Sequence, residues 1–358
     1  MRSLALDHIL FIPTSIPPHK DPVQGASTEQ RVRFLQLALQ TQPNFSMDPM
    51  ELQREGKSYT VDTLSELKQR FPEAELFFLM GSDMLRSFLS WRAPTQIARL
   101  ATLVCIRRFG QSGDEQEMSE MLQIALNAKI LLLDGVSDLS STDVRDRLFS
   151  ALPITGMVPE EVELALLEEC AYQPPQIVAL HTKLREQLSS HRMRHTAGVW
   201  KTASELAQRY GADPAKARLA ALLHDCAKEL PTTELMKRTQ ASDPILPVLH
   251  AEVGAQLAES DYGVSDAEIL QAIRLHTTGD ANMTVLDKII YLADMIEPYR
   301  DFPGVAELRR QAKVSLDDAV LLALLKSLWY IETRQGRIHD ATLRAVADLG
   351  GTYGTTVR

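Results

Sequence analysis

Six potential metal ligands are spread through the second half of this 358-residue chain. The run "ALLHDCAKELP" places an imidazole and a carboxylate side by side directly after two leucines. An isolated pair of this kind is usually structural, but more histidines and a second aspartate follow on successive predicted helices. Helical bundles build metal sites from side chains that project inward from facing helices. The candidate ligands are His195, His224, Asp225, His250, His276 and Asp294.

The types of these side chains restrict the metal. Imidazole and carboxylate ligands suit Fe, Mn, Zn or Ni, and the set contains no thiolate that would select a softer ion. The three cysteines, Cys105, Cys170 and Cys226, lie far apart without a CxxC spacing. We therefore predict neither a disulfide framework nor a cysteine-ligated zinc site.

A pair of metal ions held by these ligands would suit hydrolysis of a phosphoanhydride. Two metals lower the pKa of a shared water and stabilise both the attacking and the leaving oxygen. Asp225 could bridge the ions, and Asp294 could complete the shell of one of them. Lys228, three residues beyond Asp225, could reach phosphate, and Arg300 offers a bidentate fork for a second phosphate. We expect Asp225, Lys228 and Arg300 to be catalytic.

Helices must position these residues, because strand patterns are absent from about residue 176 onward. That part of the chain predicts long helices, among them 191–211, 213–228, 265–276, 283–300 and 315–334. The first 150 residues instead alternate helical stretches with short apolar runs typical of buried parallel strands, namely "HILFIPT", "ELFFLMG", "TLVCIRR" and "KILLLDG". The prolines of "CAYQPPQ" mark the boundary. We predict an α/β parallel-sheet domain over 1–173 and an all-α domain over 174–358.

The overall composition weakens the case for partners other than small molecules. A net charge of -9 and a pI near 5.6 disfavour nonspecific binding to nucleic acid or to a membrane surface. No apolar stretch approaches the roughly 20 residues that cross a bilayer. The N-terminal run is interrupted by Asp7 and His8, so it makes a poor signal peptide. We expect a cytoplasmic protein that acts on nucleotides and that could form a homodimer.

The C-terminal half resembles the HD superfamily of metal-dependent phosphohydrolases. The stretches "HDCAKELP", "LHAEVGA", "AIRLHTTG" and "MTVLDKIIYLADMIEPYR" are similar to the branch of YqeK-type symmetrical diadenosine-tetraphosphate hydrolases. The resemblance implies an all-α HD-type bundle with two metal ions, iron being favoured over Mn, Zn or Ni. It also implies that the substrate is split into two ADP, with Thr277 and Gly279 of "LHTTG" contacting the substrate.

The N-terminal half resembles the bacterial nicotinate-nucleotide adenylyltransferases of the NadD family. The motifs "FIPTSIPPHKD", "GKSYTVDTL", "LMGSDMLRSFLSW", "RRFG" and "SSTDVRDRL" occur in that family's order, and "GMVPEEVELALLEECAY" is similar to its C-terminal helix. The resemblance implies a Rossmann-like nucleotidyltransferase fold. It also implies transfer of adenylate from ATP, bound with Mg, to nicotinate mononucleotide (NaMN), which gives nicotinate adenine dinucleotide (NaAD) and diphosphate in NAD biosynthesis.

The same resemblance assigns nucleotide-binding roles in the N-terminal half. Trp91 would stack on the nicotinate ring, and the hydroxyls and amides that begin the "SSTD" helix would cradle phosphate, although that stretch is equally a good helix cap. The full set of expected contacts is His19, Lys20, Tyr59, Thr60, Thr63, Gly81, Asp83, Trp91, Arg108, Ser141, Thr142 and Arg145.

One departure from the NadD pattern concerns the start of the chain. Members open with a first strand and a G-x-F-D-P-x-H-x-G-H turn, whereas this sequence begins at what should be the second strand. We interpret the α/β domain as truncated at its N-terminus, either because the true chain starts upstream of Met1, the favoured reading, or because this half has lost catalysis. An in-frame motif in the DNA upstream of Met1 would separate the two.

We expect the chain as given to form little or no NaAD from NaMN and ATP. The histidines of the missing motif would bind and stabilise the phosphates of the transferred nucleotide. Chromatographic assay of NaAD formation by this exact chain checks the expectation. Robust turnover would refute the interpretation of the truncation.

Three alternatives stay open at the level of sequence. The HD-like half could be a nucleotide-binding regulatory module with a dead site, although none of the six ligands is missing. It could hydrolyse another nucleotide, such as a cyclic nucleotide or a dNTP. The N-terminal half could be only a scaffold that tethers or dimerises the hydrolase.

Overall fold

The computed structural model describes residues 2–14, 25–107, 113–135, 137, 139–240 and 245–353. The chain divides into two compact units, Met1–Asp143 and Val144–Arg358. The domain boundary predicted at 173/174 stays a prediction.

Parallel strands form the centre of the first unit. Strand β1 pairs with β2, and β3, β4 and β5 pair in that order, every pair being parallel. The strands are β1 (Ile9–Phe11), β2 (Phe45–Met47), β3 (Phe77–Gly81), β4 (Thr102–Arg107) and β5 (Ile130–Asp134). Four of them fall within the four apolar runs of the sequence. The fifth, β2, was missed because three residues are too few for a recognisable pattern.

Helices alternate with these strands, and their ends follow local sequence signals. Ser27 and Gln30 form a capping box at the start of α1, and Pro94 begins α4. The helices are α1 (Thr28–Leu39), α2 (Thr60–Arg70), α3 (Ser82–Ser87), α4 (Pro94–Leu100), α5 (Glu115–Leu126) and α6 (Ser141–Phe149), the last of which runs across the division between the units. Leu103 and Cys105 of β4 are fully buried among apolar residues of α3, α4 and α5.

The second unit is built from helices, and no strand occurs in its described residues. After α6, the helices are α7 (Glu160–Glu168), α8 (Pro175–Arg185), α9 (Ser190–Tyr210), α10 (Pro214–Leu223), α11 (Thr232–Thr239), α12 (Leu249–Ser260), α13 (Ala267–Leu275), α14 (Val285–Ile296), α15 (Val305–Gln311), α16 (Leu316–Thr333) and α17 (Asp340–Asp348). The prediction of a parallel-sheet α/β domain followed by an all-α bundle is confirmed.

Helix caps fix where the central helices of this bundle start. Ser189, Asp213 and Asp266 each accept hydrogen bonds from backbone N–H groups in the first turn of α9, α10 and α13. Thr284 and Asp287 form a capping box on α14. At their other ends, α10 has His224 as its C-cap and α13 has His276.

Helix α9 is the central element of the second unit. It packs against α7, α10 and α14, and its residues Val199 and Trp200 are almost completely buried. On the α7 side, the Lys201 ammonium is 6% exposed and lies 3.7 Å from a carboxylate oxygen of Glu163 and 2.5 Å from one of Glu205. No described helix of the chain is long and apolar enough to span a bilayer.

Candidate metal centre

The six predicted ligands converge in the second unit. His195 lies on α9, His224 and Asp225 follow α10, His250 lies on α12, His276 caps α13 and Asp294 lies on α14. The four imidazoles and Asp225 are buried, and the Asp294 side chain is 18% exposed. Two groups could each hold an ion, one formed by His195, His224 and Asp225 and the other by Asp225, His250 and His276.

Asp225 is shared between these groups, with one carboxylate oxygen turned toward each. Its Oδ2 lies 3.7 Å from Nε2 of His195 and 3.5 Å from Nε2 of His224. Its Oδ1 lies 3.1 Å from Nε2 of His250 and 3.4 Å from Nε2 of His276. Asp294 belongs to the first group only, because its Oδ1 lies 3.0 Å from Nε2 of His195. A carboxylate placed in this way could bridge two metal ions.

The histidine rings are oriented so that their Nε2 atoms face the centre. Nδ1 of His224 donates to the carbonyl of Ala221 at 2.7 Å, and Nδ1 of His276 donates to that of Ile273 at 2.6 Å. The proton on Nδ1 leaves Nε2 with a lone pair for a metal. Nε2 atoms of neighbouring rings approach to 3.3 Å between His195 and His224. Basic nitrogens held this close fit a cation between them.

Charge states in the centre also favour metal binding. Burial lowers the pKa of His224, and it lowers that of His250 to about 4, so both rings are neutral ligands at neutral pH. Burial opposes ionisation of Asp225, but the charge of His224 when its ring is protonated, together with hydrogen bonds from the facing histidines, lowers the pKa of Asp225 well below the usual range. Burial opposes ionisation of Asp294 as well, and a hydrogen bond from His195 together with the charge of Arg300 lowers its pKa. The donor set therefore fits divalent ions.

The cations predicted to bind phosphate lie beside this centre. Nζ of Lys228 is 3.2 Å from Nε2 of His250, and burial lowers the pKa of this lysine. Arg300 Nε donates to the backbone carbonyl of Asp294 at 2.8 Å, and the same guanidinium pairs with that residue's carboxylate. The hydroxyl of Thr277 is buried and has no hydrogen-bond partner within the part of the chain that the structure describes.

Gly279 has a backbone role that the sequence did not indicate. Its N–H donates to the carbonyl of Leu275 at 2.8 Å, just beyond the end of α13, and its φ of +61° lies in the left-handed region that favours glycine. Its predicted contact with substrate stays a prediction.

Two residues at this centre were missed by the sequence analysis. Arg192, one turn before His195 on α9, donates from Nη1 to Oδ2 of Asp225 at 2.6 Å. Glu297, just beyond α14, is 2% exposed and places Oε1 3.1 Å from Nδ1 of His195. Each of these contacts joins segments that are far apart in the chain, so neither leaves a local pattern in the sequence.

Some of the side chains predicted to contact nucleotide in the first unit already have partners within the protein. The hydroxyl of Thr63 is buried, donating to Glu51 at 2.6 Å and accepting from Arg54 at 2.7 Å, so it has structural partners already. The guanidinium of Arg92 lies over the ring of Tyr59, 4.6 Å from its centroid. Thr60 begins α2 directly after this tyrosine.

Other predicted contacts lie at helix starts. Gly81 is the N-cap of α3, and a Cβ there would be 2.9 Å from Oδ1 of the exposed Asp83. Trp91 packs against Phe78 and Phe88, and its indole N–H donates to Ser87 at 3.3 Å.

Ser141 and Thr142 are exposed in the first turn of α6, where Ser140 and Asp143 make reciprocal capping hydrogen bonds. Arg145 follows on the same helix, within the second unit. His19, Lys20 and Arg108 lie outside the described residues.

Comparison with known proteins assigns the two parts of the chain to two different families. The family described as "HD domain" matches residues 192–299, and the family described as "Cytidylyltransferase-like" matches residues 1–147. A Mycoplasma pneumoniae protein named probable nicotinate-nucleotide adenylyltransferase/Ap4A hydrolase is 31% identical over 304 residues, 84% of this chain and 83% of that protein. The chain belongs to this family of two-domain proteins.

Single-domain proteins resemble each half of this family's architecture. The symmetrical bis(5'-nucleosyl)-tetraphosphatase of Halalkalibacterium halodurans is 42% identical over 167 residues, which are 45% of this chain and 89% of that protein. The nicotinate-nucleotide adenylyltransferase of Bacillus subtilis is 33% identical over 169 residues, 47% of this chain and 84% of that protein. An HD domain implies divalent-metal binding, and the clustered histidines and aspartates provide ligands for it.

Proposed function

We propose that the second unit is a metal-dependent hydrolase that cuts diadenosine tetraphosphate symmetrically into two ADP molecules. The observation that carries the proposal is the sharing of Asp225, whose two carboxylate oxygens face two different pairs of imidazoles. Two adjacent ligand sets joined by one carboxylate suit a two-metal phosphohydrolase. The choice of substrate rests on the relatives named as symmetrical tetraphosphatases.

The residues around the centre would bind and orient the tetraphosphate. When bound, a metal pair supplies a reactive water near neutral pH and stabilises charge on the attacked phosphate. The ammonium of Lys228 and the guanidiniums of Arg192 and Arg300 would neutralise the flanking phosphate oxygens. Nε of Arg192 and the hydroxyl of Thr277 are buried without a hydrogen-bond partner among the described residues, which leaves both able to donate to a substrate oxygen.

The products of hydrolysis test this proposal directly. Attack of water on an inner phosphate, with cleavage of the central phosphoanhydride, leaves ADP on both sides, so we expect ADP as the sole product. Chromatography of the reaction with diadenosine tetraphosphate measures it, and a chelator should abolish turnover until metal is added back. ATP plus AMP would indicate an asymmetric hydrolase. A lack of turnover in the metal-loaded protein would favour another nucleotide as the substrate.

We further propose that the native ions are iron. The nitrogen and oxygen ligands suit Fe, and equally admit Mn, Zn or Ni, so the choice among them rests on the resemblance to YqeK-type hydrolases. Elemental analysis of protein purified without chelator tests this assignment by the identity of the bound metal. A cytoplasmic location and a homodimer stay predictions.

For the first unit we propose binding of NaMN and of ATP with Mg, with adenylyl transfer as the associated reaction. The match of residues 1–147 to the cytidylyltransferase-like family supports a nucleotide site, and Gly81 lies at the carboxyl end of a parallel strand, where such sites form. Calorimetric titration with each ligand separates binding from catalysis. Binding without NaAD formation would support a nucleotide-binding module, and binding of neither would support a scaffold.

A further inference from the structure

The two halves of the metal centre share Asp225 but differ in their other ligands. The α9 site consists of His195, His224, Asp225 and Asp294, and the α12 site consists of Asp225, His250 and His276. The α9 site therefore has two carboxylates, whereas the α12 site has only the shared one.

A buried carboxylate outside the ligand set strengthens this difference. Glu297 places Oε1 3.1 Å from Nδ1 of His195, which makes a carboxylate–histidine pair behind the α9 site. A carboxylate at this position fixes the ring orientation of a metal-binding histidine and makes the ring more basic. His224 and His276 use backbone carbonyls for the same purpose, which are weaker acceptors than a charged carboxylate.

The surroundings of Glu297 hold its carboxylate in place. Its Oε2 accepts a hydrogen bond from the backbone N–H of Tyr299 at 2.7 Å, and its own carbonyl accepts one from Arg309 at 2.7 Å. Gly198, on α9 one turn after His195, leaves the space for it, because a Cβ there would clash with Oε2. The approach of Glu297 to His195 thus depends on a glycine in the interior of a helix.

Nearby positive charge offsets the carboxylates of both sites, but it does so less completely at the α9 site. Lys228 lies 3.2 and 3.4 Å from the ring nitrogens of His250, directly at the α12 site, where it opposes a second cation. Arg300 pairs with Asp294 at the α9 site, and Arg192 pairs with the shared Asp225. Around the α9 site, three carboxylates, including Glu297, exceed these two guanidiniums. At the α12 site, one carboxylate faces one ammonium.

We propose that the two metal sites are unequal in affinity and that Glu297, acting through His195, is the positioning residue that makes the α9 site the tighter one. The proposal rests on the proposed function in so far as that requires two metal ions. It adds an order of loading, in which the α9 site fills first and the α12 site exchanges more readily.

The proposal is tested by titrating metal-free protein with Mn²⁺ and following free Mn²⁺ by electron paramagnetic resonance. Two variants are used, each of which retains only one of the two sites. In His276→Ala, which breaks the α12 site, adding Glu297→Gln should weaken the remaining site by about 10- to 100-fold, the usual cost of losing such a partner. In His195→Ala, which breaks the α9 site, the same change should leave Mn²⁺ affinity within about twofold, because the residue through which it acts is gone.

Two further variants separate positioning from general damage. Gly198→Ala keeps every charge but pushes the Glu297 carboxylate away, so in the His276→Ala background it should weaken Mn²⁺ binding as Glu297→Gln does. Glu163→Gln removes another buried glutamate of the same unit, which accepts from Thr155 at 3.0 Å and lies 3.7 Å from Lys201, and it should change neither site. Thermal melts of the metal-free variants confirm that each is folded.

The outcomes distinguish this inference from the proposed function. Failure of the unmodified chain to bind Mn²⁺ would contradict the metal centre, and this proposal with it. Two sites of equal affinity, or an equal effect of Glu297→Gln in both backgrounds, would overturn only the proposal about Glu297 and leave the two-metal hydrolase standing.

Discussion

Replacing His276 by alanine is expected to lower the rate of diadenosine tetraphosphate hydrolysis by about three orders of magnitude or more. The change removes one of three ligands from the α12 site and leaves only His250 and the shared Asp225 there. The size of the loss follows from the chemistry, because a bound metal lowers the pKa of water to about 7. Initial rates at saturating substrate measure the effect, and His250→Ala should behave in the same way.

A buried histidine elsewhere in the unit provides the matched control. His181 on α8 is 4% exposed, and burial lowers its pKa to about 4, so its environment resembles that of His250 without the facing ligands. We expect His181→Ala to cost stability in a thermal melt but to retain hydrolysis. Similar losses of rate in the two variants would show that packing, rather than metal ligation, explains the effect of His276→Ala.

Replacing Asp225 by asparagine is expected to remove most of the metal from both sites at once. The substitution keeps the shape of the side chain and deletes the charge that faces all four imidazoles. Elemental analysis should give close to two ions per chain for the unmodified protein and well under one for the variant, with hydrolysis lost in parallel. Retention of both ions by the variant would contradict the bridging role of Asp225.

Asp287 supplies the corresponding control for charge removal. This aspartate of α14 is completely buried, burial raises its pKa, and Asp287→Asn keeps the shape of the side chain while removing the carboxylate. Its Oδ2 accepts a hydrogen bond from Gln271 at 2.6 Å and one from the backbone N–H of Thr284 at 2.8 Å, and neither partner is a candidate metal ligand. The variant should keep both ions, which would show that loss of a buried carboxylate does not by itself empty the centre.

The convergence of the six candidate ligands could be predicted from sequence because their types are rare in apolar helices and because helix starts have local signals. Asp213 and Pro214 mark the start of α10, whose C-cap is His224. Asp266 does the same for α13 and His276. The strands of the first unit were visible as apolar runs, with the exception of β2, whose three residues carry no periodic pattern.

The positions of Glu297 and Arg192 could not be obtained in this way. An exposed acid and an exposed base are the ordinary expectation for both residues, and only packing reveals otherwise. Glu297 and its partner His195 are 102 residues apart in the chain. Their contact requires α9 and α14 to lie side by side. Long-range contacts of this kind leave no local pattern in the chain.

The packing of α7 on α9 has a practical consequence for preparing the hydrolase alone. By resemblance, α7 belongs to the transferase half, yet it lies in the second unit, where Glu163 faces the buried ammonium of Lys201. A fragment that began at Pro174 would leave that ammonium without this partner and would uncover the side of Trp200 that lines a cavity with Leu167. Expression of the isolated hydrolase should therefore retain the chain from Val144, although the proposed metal ligands all lie beyond His191.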